Sequence, residues 1–379
     1  MRIMIVVHNL AGAGAQRSAV NLANGFAKKG NDVRIVALTS GGNMAKHINH
    51  DVSYQVLGSS RVAYSIFKLT SEVKSYMPDI VLCTPRHVAL MTCIASKVFR
   101  WNSLVFVREA ESLEASRKLA KNLKVTIQHI ILPAFYQLAD GVIVISNGMQ
   151  SEMQKVLPAK MRERIVAINN PALLPSQERN IFDIDEKSNV KLDQDAEISS
   201  NKNKPWNIIA IGRLHKQKGF DILIKSIPAV LEKYSQMTLE IYGDGPEKNS
   251  LESIIKSLNL EGRVKLCGWS EDPFRDASSV DLFVLSSRWE GFGNVVVEAL
   301  SHGVPCVVTN CMYGPSEIIN SNDIGIVAKA NDPIDLADKV NDALRDYRKF
   351  NKSSIRKRSL DFAADKKCDE YLNFFKNHM

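Results

Sequence analysis

The sequence predicts an α/β fold built from two Rossmann-like, doubly wound domains. The chain has 379 residues, which is long enough for two separate hydrophobic cores. Short apolar runs rich in β-branched residues alternate with amphipathic helical segments, as in parallel sheets whose strands are joined by crossover helices. Each half also opens in the same way, because the apolar runs Arg2–Val7 and Asn207–Gly212 both lead into a glycine-containing loop and then a helix.

The first domain is predicted over residues 1–174. After its first strand, a helix is predicted from about Ser18 to Lys29, ended by Gly30. Gly12 and Gly14 lie in the first strand-to-helix turn, but a third glycine and a closing acidic residue are missing, so a dinucleotide site is not predicted. The strands of this half are predicted at 2–7, 32–38, 80–84, 103–108, 141–146 and 165–170.

The second domain is predicted over residues 205–354. It is preceded by residues 175–204, which are polar and poor in aromatic residues and therefore predict a linker with a flexible insertion. Its strands are predicted at 207–212, 264–268, 280–286 and 306–309, and one more begins at 239 and ends in a glycine turn by 246.

Charge is distributed unevenly between the two halves. Residues 1–179 carry 22 Lys and Arg against 11 Asp and Glu, a net of +11, whereas the other 200 residues carry 27 against 30. A basic first half indicates an anionic partner, either a membrane surface or nucleic acid, or else scattered solubilising lysines. A nucleic-acid partner is not predicted, because no recognised binding module is present.

The composition also bears on the compartment. Six cysteines form no C-x-x-C pair, which predicts reduced, mostly buried thiols in a cytosolic protein. No signal peptide or membrane-spanning helix is predicted, because no apolar run is long enough.

The stretch Ser287–Pro305 carries the most specific pattern. Glu290 and Glu298 stand eight residues apart, on a strand-to-helix loop and about one turn inside the helix that follows. Asn294 is predicted to be the N-cap of that helix. Glycines let the backbone approach a ligand, helix N–H groups bind phosphate oxygens, and carboxylates accept hydrogen bonds from sugar hydroxyls. The alternative is an ordinary loop with two solvated glutamates.

A second group of polar residues follows the strand that opens the second half. Arg213 and Lys218 are predicted at the carboxyl end of that strand, where ligands bind in open α/β sheets. A guanidinium and an ammonium together can hold a diphosphate and stabilise it as a leaving group. Either cation alone would more often be surface charge.

These motifs resemble those of a known family. Glu290-Gly-Phe-Gly, followed by Val-Val-Glu298-Ala-Leu and Gly-Val-Pro305, is similar to the E-x7-E motif of retaining family 4 glycosyltransferases. Gly-Arg213-Leu with Lys218-Gly is similar to the family's diphosphate-binding motif. The resemblance extends over most of the chain. It implies the GT-B architecture, in which two Rossmann-like domains face each other across a cleft and a C-terminal helix, here 355–379, crosses back to the first domain.

The resemblance also implies roles for individual residues. Glu290, Arg213 and Lys218 would be the catalytic group, with Glu290 on the donor-sugar hydroxyls and both cations on the diphosphate. Glu298 would hold the ribose hydroxyls of the donor. Other donor-binding residues would be Gly14, in a loop where Ala13 replaces the family's first glycine, together with Gly291, Phe292, Gly293, Asn294 and Val295.

The acceptor side is predicted in the first domain. Arg108 and Glu109 follow a strand where an acceptor loop should be, although many relatives have a histidine near there. The resemblance implies a lipid-linked or polysaccharide acceptor, met by a cytoplasmic protein on the inner membrane face. The basic amphipathic segment 113–136 fits an anionic membrane or an ordinary surface helix, and its cations are Arg117, Lys118, Lys121 and Lys124.

The resemblance therefore implies a retaining glycosyltransferase that uses a nucleotide sugar as a substrate, with UDP favoured by its frequency in the family, and that needs no cofactor. No metal is predicted, because no Asp-x-Asp stands at a strand end. The alternatives are another GT-B enzyme, such as a nucleotide-sugar epimerase, or a catalytically silent sugar-nucleotide-binding or membrane-scaffold protein.

Overall fold

The computed structural model describes residues 1–11, 14–58, 62–119, 131–173, 181, 204–277 and 279–379. The chain divides into two compact units, one formed by Met1–Leu174 with Phe362–Met379 and the other by Pro175–Asp361. Each unit contains one parallel β-sheet, which confirms the α/β class and the two Rossmann-like domains. Most of the predicted linker, 175–204, lies outside the described residues.

The first unit is built on a seven-stranded sheet in the order β3-β2-β1-β4-β5-β6-β7. The apolar residues of its central strands are almost completely buried, as helices on both faces require. Its strands are β1 Arg2–Val7, β2 Asp32–Ala37, β3 Val52–Val56, β4 Ile80–Cys83, β5 Leu104–Glu109, β6 Gly141–Val144 and β7 Ile165–Ala167. Its helices with defined bounds are α1 Gly14–Lys28, α2 Val62–Tyr76, α3 Arg86–Val98, α4 Leu113–Leu119 and α5 Asn147–Val156; residues 131–136 are also helical, and the last helix of the chain, described below, belongs to this unit as well.

The second unit is built on a six-stranded sheet in the order β10-β9-β8-β11-β12-β13. Its strands are β8 Asn207–Ile211, β9 Thr238–Tyr242, β10 Val264–Gly268, β11 Leu282–Leu285, β12 Cys306–Asn310 and β13 Gly325–Lys329. Its helices are α6 Phe220–Leu231, α7 Lys248–Ser257, α8 Pro273–Asp276, α9 Asn294–Ser301, α10 Pro315–Ile318, α11 Pro333–Arg345 and α12 Lys352–Ser359.

Two strands were not predicted from the sequence, and both lie at the edge of a sheet. β3 is mostly exposed, with only Val52 buried, because it is paired on one side only. β13 has a similarly mixed burial pattern. An edge strand lacks the continuous apolar run by which a central strand is recognised, so the sequence pattern is weak there.

The last helix, α13 Ala364–Lys376, packs within the first unit. The Phe375 ring lies 4.7 Å from the Phe106 ring and 6.0 Å from the Phe26 ring, measured between centroids. A Cβ on Gly25 would lie 2.4 Å from the sulfur of Cys368, so α1 and α13 approach closely because Gly25 has no side chain. The segment 355–379 is therefore not one helix, since α12 belongs to the second unit and α13 to the first.

Both sheets reverse their strand order beside their first strand. In the second unit the reversal lies between β8 and β11, which are hydrogen-bonded neighbours. The helix after β8 and the helix after β11 then leave on opposite faces of the sheet, which opens a crevice at the carboxyl ends of these two strands. The loops that follow β8 and β11 carry the residues predicted to bind the donor.

Candidate active site

The centre of the site is an ion pair between the loops that follow β8 and β11. The ammonium nitrogen of Lys218 lies 2.5 Å from Oε1 of Glu290. The hydroxyl of Ser287, a residue that the sequence analysis did not single out, donates to the same oxygen at 2.7 Å. Glu290 is buried, with 7% of its surface exposed, so the charge of the carboxylate is balanced inside the protein and not by water. The fold thus brings Lys218 and Glu290 together across 72 residues of sequence.

Gly219 lets these two loops pack backbone against backbone. It has φ 63°, and a Cβ there would lie 2.2 Å from the carbonyl oxygen of Ser286. The Ser286 hydroxyl in turn donates to the Lys218 carbonyl at 2.9 Å. A side chain at Gly219 would force the loops apart and move the Lys218 ammonium away from Glu290.

A second ion pair braces the same loops. The Arg288 guanidinium donates to both carboxylate oxygens of Asp221 at 2.8 Å, in the bidentate geometry that favours this pairing. Burial would raise the pKa of Asp221, but the hydrogen bonds and the charge of Arg288 lower it below its ordinary value. The side chain of Gln217 adds a bond to the Trp289 carbonyl at 3.0 Å. The sequence alone does not point to Asp221 or Arg288, because an isolated charged residue on a loop is usually an exposed surface residue.

The loop after Glu290 is fixed from the other side by the segment after β12. The Glu290 N–H donates to the Met312 carbonyl at 3.0 Å. Gly314 has φ 91°, and a Cβ there would lie 2.3 Å from the Phe292 carbonyl oxygen. The Phe292 side chain is 2% exposed, so only its backbone remains near the site surface.

Helix α9 begins one residue earlier than predicted. Its N-cap is Gly293, with φ 99°, and no side chain caps it, so the prediction that Asn294 is the N-cap is wrong. A positive φ favours glycine at this position, and Asn294 becomes the first helical residue. Gly291 and Val295 are half-buried beside the uncapped first turn.

The other predicted donor residues differ in their surroundings. Arg213 is exposed, and within the described ranges its guanidinium has no hydrogen bond or ion pair. Glu298 lies half-buried on α9, where its carbonyl accepts a bond from the Ser301 hydroxyl. Gly14 opens α1 in the first unit, and its carbonyl accepts a bond from Ser18 at 2.9 Å; Gly12 and Ala13 lie outside the described residues.

Cys311 is a neutral thiol at neutral pH. Burial raises its pKa to about 12, and the Glu290 carboxylate contributes in the same direction. A thiol with this pKa is a poor nucleophile. Cys311 therefore gives no reason to expect covalent catalysis at this site.

The structure does not support an acceptor contact by Arg108. Its side chain is 1% exposed, and the guanidinium donates to the Tyr371 hydroxyl at 3.1 Å and to Asn170 at 2.5 Å. Glu109 is also buried, and it accepts bonds from Arg86 at 2.9 Å and from the Tyr136 hydroxyl at 2.8 Å. Both side chains tie elements of the first unit together, and neither is presented to a ligand at the surface.

Three further expectations concern metals and membranes. Among the residues that the structure describes, no three His, Cys, Asp or Glu side chains come together as a metal site would require. No described helix is long and apolar enough to cross a membrane. The side chains of Arg117, Lys118, Lys121 and Lys124 lie outside the described part of the structure.

Comparison with known proteins identifies both halves. Residues 12–172 match the model "Glycosyltransferase Family 4", and residues 193–359 match "Glycosyl transferases group 1". An uncharacterised glycosyltransferase of Methanocaldococcus jannaschii is 31% identical over 263 residues, which are 67% of this chain and 61% of that relative. An N-acetylgalactosaminyltransferase of Campylobacter jejuni, named for a diacetylbacillosaminyl-diphospho-undecaprenol substrate, is 22% identical over 78% of this chain and 74% of its own length.

A solved structure supports the architecture. HepE from Anabaena, in complex with UDP and glucose, superimposes with a TM-score of 0.77 at 19% identity over the whole of both chains. At this identity the likeness shows the fold, which is GT-B. The chain therefore belongs to the glycosyltransferases, with a Family 4 domain in its first half and a group 1 domain in its second.

Proposed function

We propose that this protein is a retaining glycosyltransferase that moves a sugar from a UDP-sugar to a lipid-linked or polysaccharide acceptor during the synthesis of a surface glycan. The observation that carries the proposal is the Lys218–Glu290 pair, which lies between the β8 and β11 loops where the second sheet reverses its strand order. In open α/β sheets this position is where nucleotide ligands bind.

The arrangement of donors and acceptors fits a sugar diphosphate. Oε1 of Glu290 already accepts bonds from Lys218 and Ser287, whereas no described residue donates to Oε2, which is left for a sugar hydroxyl. The Lys218 ammonium has three N–H donors and uses one on Glu290, so two remain for phosphate oxygens. Arg213 supplies a second cation. Charge that develops on the departing diphosphate is then neutralised by Lys218, which is already held in place by Glu290, and by Arg213, whose exposed guanidinium is available to turn toward the phosphates.

The stereochemistry and substrates rest on the family resemblance and on the names of relatives. In front-face retention, the departing phosphate itself helps to remove the acceptor proton, so no protein nucleophile is needed, and the buried neutral thiol of Cys311 is consistent with this. The HepE structure holds UDP and glucose, which favours UDP as the nucleotide. The name of the Campylobacter relative favours a polyprenyl diphosphate-linked acceptor. We propose that Glu298 binds the ribose, that the reaction requires no metal or other cofactor, and that the protein works on the cytoplasmic membrane face.

The proposal is tested by a panel of nucleotide sugars with and without candidate acceptors. Thermal stabilisation identifies the nucleotide that binds, because a ligand that binds only the folded state raises its stability. Release of nucleoside diphosphate that depends on an acceptor, with a product whose anomeric proton shows the donor's configuration by NMR, is the expected result. A changed sugar on an intact nucleotide would identify an epimerase. Tight binding without turnover would identify a catalytically silent protein.

A further inference from the structure

An aromatic and basic surface lies on the first unit, outside the candidate active site. We call it the α2–α3 surface and define it by Tyr64 and Phe67 on α2 together with Lys97, Val98 and Arg100 at the end of α3. Tyr64, Phe67 and Val98 are 63%, 65% and 65% exposed, which places them among the most exposed large apolar side chains of the described chain. A cluster of this kind usually marks a surface that another molecule covers.

The aromatic residues are not part of the core. Ser65, Leu69 and Val73 form the buried side of α2, whereas Tyr64 and Phe67, three residues apart, lie on its outer side. The Phe67 ring contacts the Phe99 ring, with centroids 5.7 Å apart, so the α2 aromatics are continuous with the end of α3. Helix α2 thus places both rings on its solvent side, and the Phe99 ring contacts that of Phe67.

The charged side chains of this surface are positive, and none of them pairs with a described acidic residue. Lys97 and Arg100 are exposed and form no hydrogen bond or ion pair with a described residue, whereas the exposed Lys68 of α2 donates to the Leu57 carbonyl at 2.8 Å. The only acidic residue of α2, Glu72, points inward and pairs with Arg34 at 2.5 Å. Residues 86–100 contain no Asp or Glu. The surface therefore complements a negatively charged partner.

We propose that the α2–α3 surface binds the anionic lipid headgroups of a membrane. Tyr and Phe rings settle at the boundary between headgroups and acyl chains, while Lys and Arg reach the lipid phosphates. Aromatic residues and arginine are enriched at protein interfaces as well, but lysine is depleted there, so Lys97 beside the exposed rings favours a membrane as the partner. The inference deepens the proposed function, since it explains how an enzyme with a lipid-linked acceptor reaches its substrate.

Flotation with lipid vesicles tests the proposal on the whole protein. We expect binding to phosphatidylcholine vesicles that contain one third phosphatidylglycerol, none to pure phosphatidylcholine, and release by salt, which screens surface charge. Each cation next to an anionic leaflet changes binding by about fivefold. The double change Lys97→Gln with Arg100→Gln should therefore weaken binding on the order of tenfold or more, and Tyr64→Ser with Phe67→Ser by a similar factor.

Control variants in the second unit distinguish a contact by the α2–α3 surface from a general effect of charge or hydrophobicity. Lys233→Gln with Lys256→Gln removes the same charge from exposed positions of the second unit, and Ile334→Ser removes an exposed apolar side chain there. Neither control should change flotation by more than about twofold, if the contact is local. Equal losses in the control and test variants would overturn the proposal in favour of a general charge effect.

A second probe does not depend on a loss of binding. Phe67→Trp should place an indole in the headgroup region, so brominated lipids should quench the emission that this indole adds to that of the four native tryptophans, whereas the emission added by Ile334→Trp should remain unquenched. Absence of quenching at position 67 would also overturn the proposal, as would a dimer that the Tyr64 and Phe67 changes dissociate without any effect on flotation. Calorimetry with UDP is run in parallel: if UDP does not bind while flotation succeeds, the proposed function fails and the membrane surface stands.

Discussion

The ammonium of Lys218 and the carboxylate of Glu290 form a 2.5 Å ion pair that joins the β8 loop to the β11 loop. The pair holds each group in place before any substrate arrives. A preorganised site of this kind loses little free energy to reorganisation when charge develops on the leaving group. Changing either residue should therefore also affect the position of the other.

We expect Lys218→Ala to reduce sugar transfer by on the order of 100-fold or more, because a fixed cation next to the departing diphosphate is lost. Arg213→Ala should have an effect of similar size. Lys216→Ala is the control, since Lys216 lies on the same loop with an exposed side chain. Steady-state kinetics of purified variants measures the effect, and a normal turnover number for Lys218→Ala would contradict the role of this cation.

Changes at the two glutamates should affect the binding of different parts of the donor. Glu298→Gln should weaken the binding of free UDP by about 1–3 kcal/mol, because hydrogen bonds from ribose hydroxyls to a carboxylate are charge-assisted. Glu290→Gln should leave UDP binding nearly unchanged and lower turnover with the sugar donor, since Gln keeps an oxygen that accepts from Lys218 and Ser287. Isothermal calorimetry decides between them, and equal losses for both variants would refute the division of roles.

Gly219→Ala should destabilise the second unit by about 3 kcal/mol or more, because it combines a positive φ with a clash against Ser286. Gly262 is the matched control: it also has a positive φ, 87°, but a Cβ there would meet nothing within 4 Å. Gly262→Ala should therefore cost only about 1 kcal/mol. Urea denaturation measures both, and equal costs would mean that the loops adjust to the clash.

The Asp221–Arg288 pair should make stability depend on pH. Because the folded-state pKa of Asp221 lies below the ordinary value of 3.8, its contribution is fully present above that pH and is lost as the pH falls through the folded-state pKa. Asp221→Asn should lower the free energy of unfolding by about 1 kcal/mol at neutral pH. The difference in unfolding free energy between this variant and the unmodified protein should become smaller below about pH 4. Denaturation across this range checks it, with the exposed Asp338→Asn as a control that should cost nothing measurable.

Tyr371→Phe should destabilise the first unit by about 1–3 kcal/mol, since the Arg108 guanidinium would be left with one bond fewer in the interior. Because Arg108 lies in the core and not at a ligand surface, the Michaelis constant for the acceptor should not change. A changed Michaelis constant for the acceptor without a loss of stability would show that Arg108 contributes to acceptor binding after all.

The sequence by itself determined the fold class and most central strands. Short, continuous β-branched runs such as Arg2–Val7 favour a buried parallel strand, because both faces of such a strand are covered, so local composition and burial agree there. The donor loops were also found, because glycines, cations and carboxylates at strand ends form a local pattern. The edge strands β3 and β13 were missed, since half-exposed strands carry no such pattern.

Only the tertiary structure decided which charges meet and which are buried. Lys218 and Glu290 are 72 residues apart, as Arg108 and Tyr371 are 263 apart, and no local pattern records such a pairing. Arg108 was expected at a ligand surface because it follows a strand at the place of the family's acceptor loop. The structure places it beside α13 instead, because the path of the chain back into the first unit covers the end of β5. Contacts between distant segments depend on the course of the whole chain. Local sequence patterns therefore show which loops carry the binding residues, whereas only the fold shows which of those residues meet.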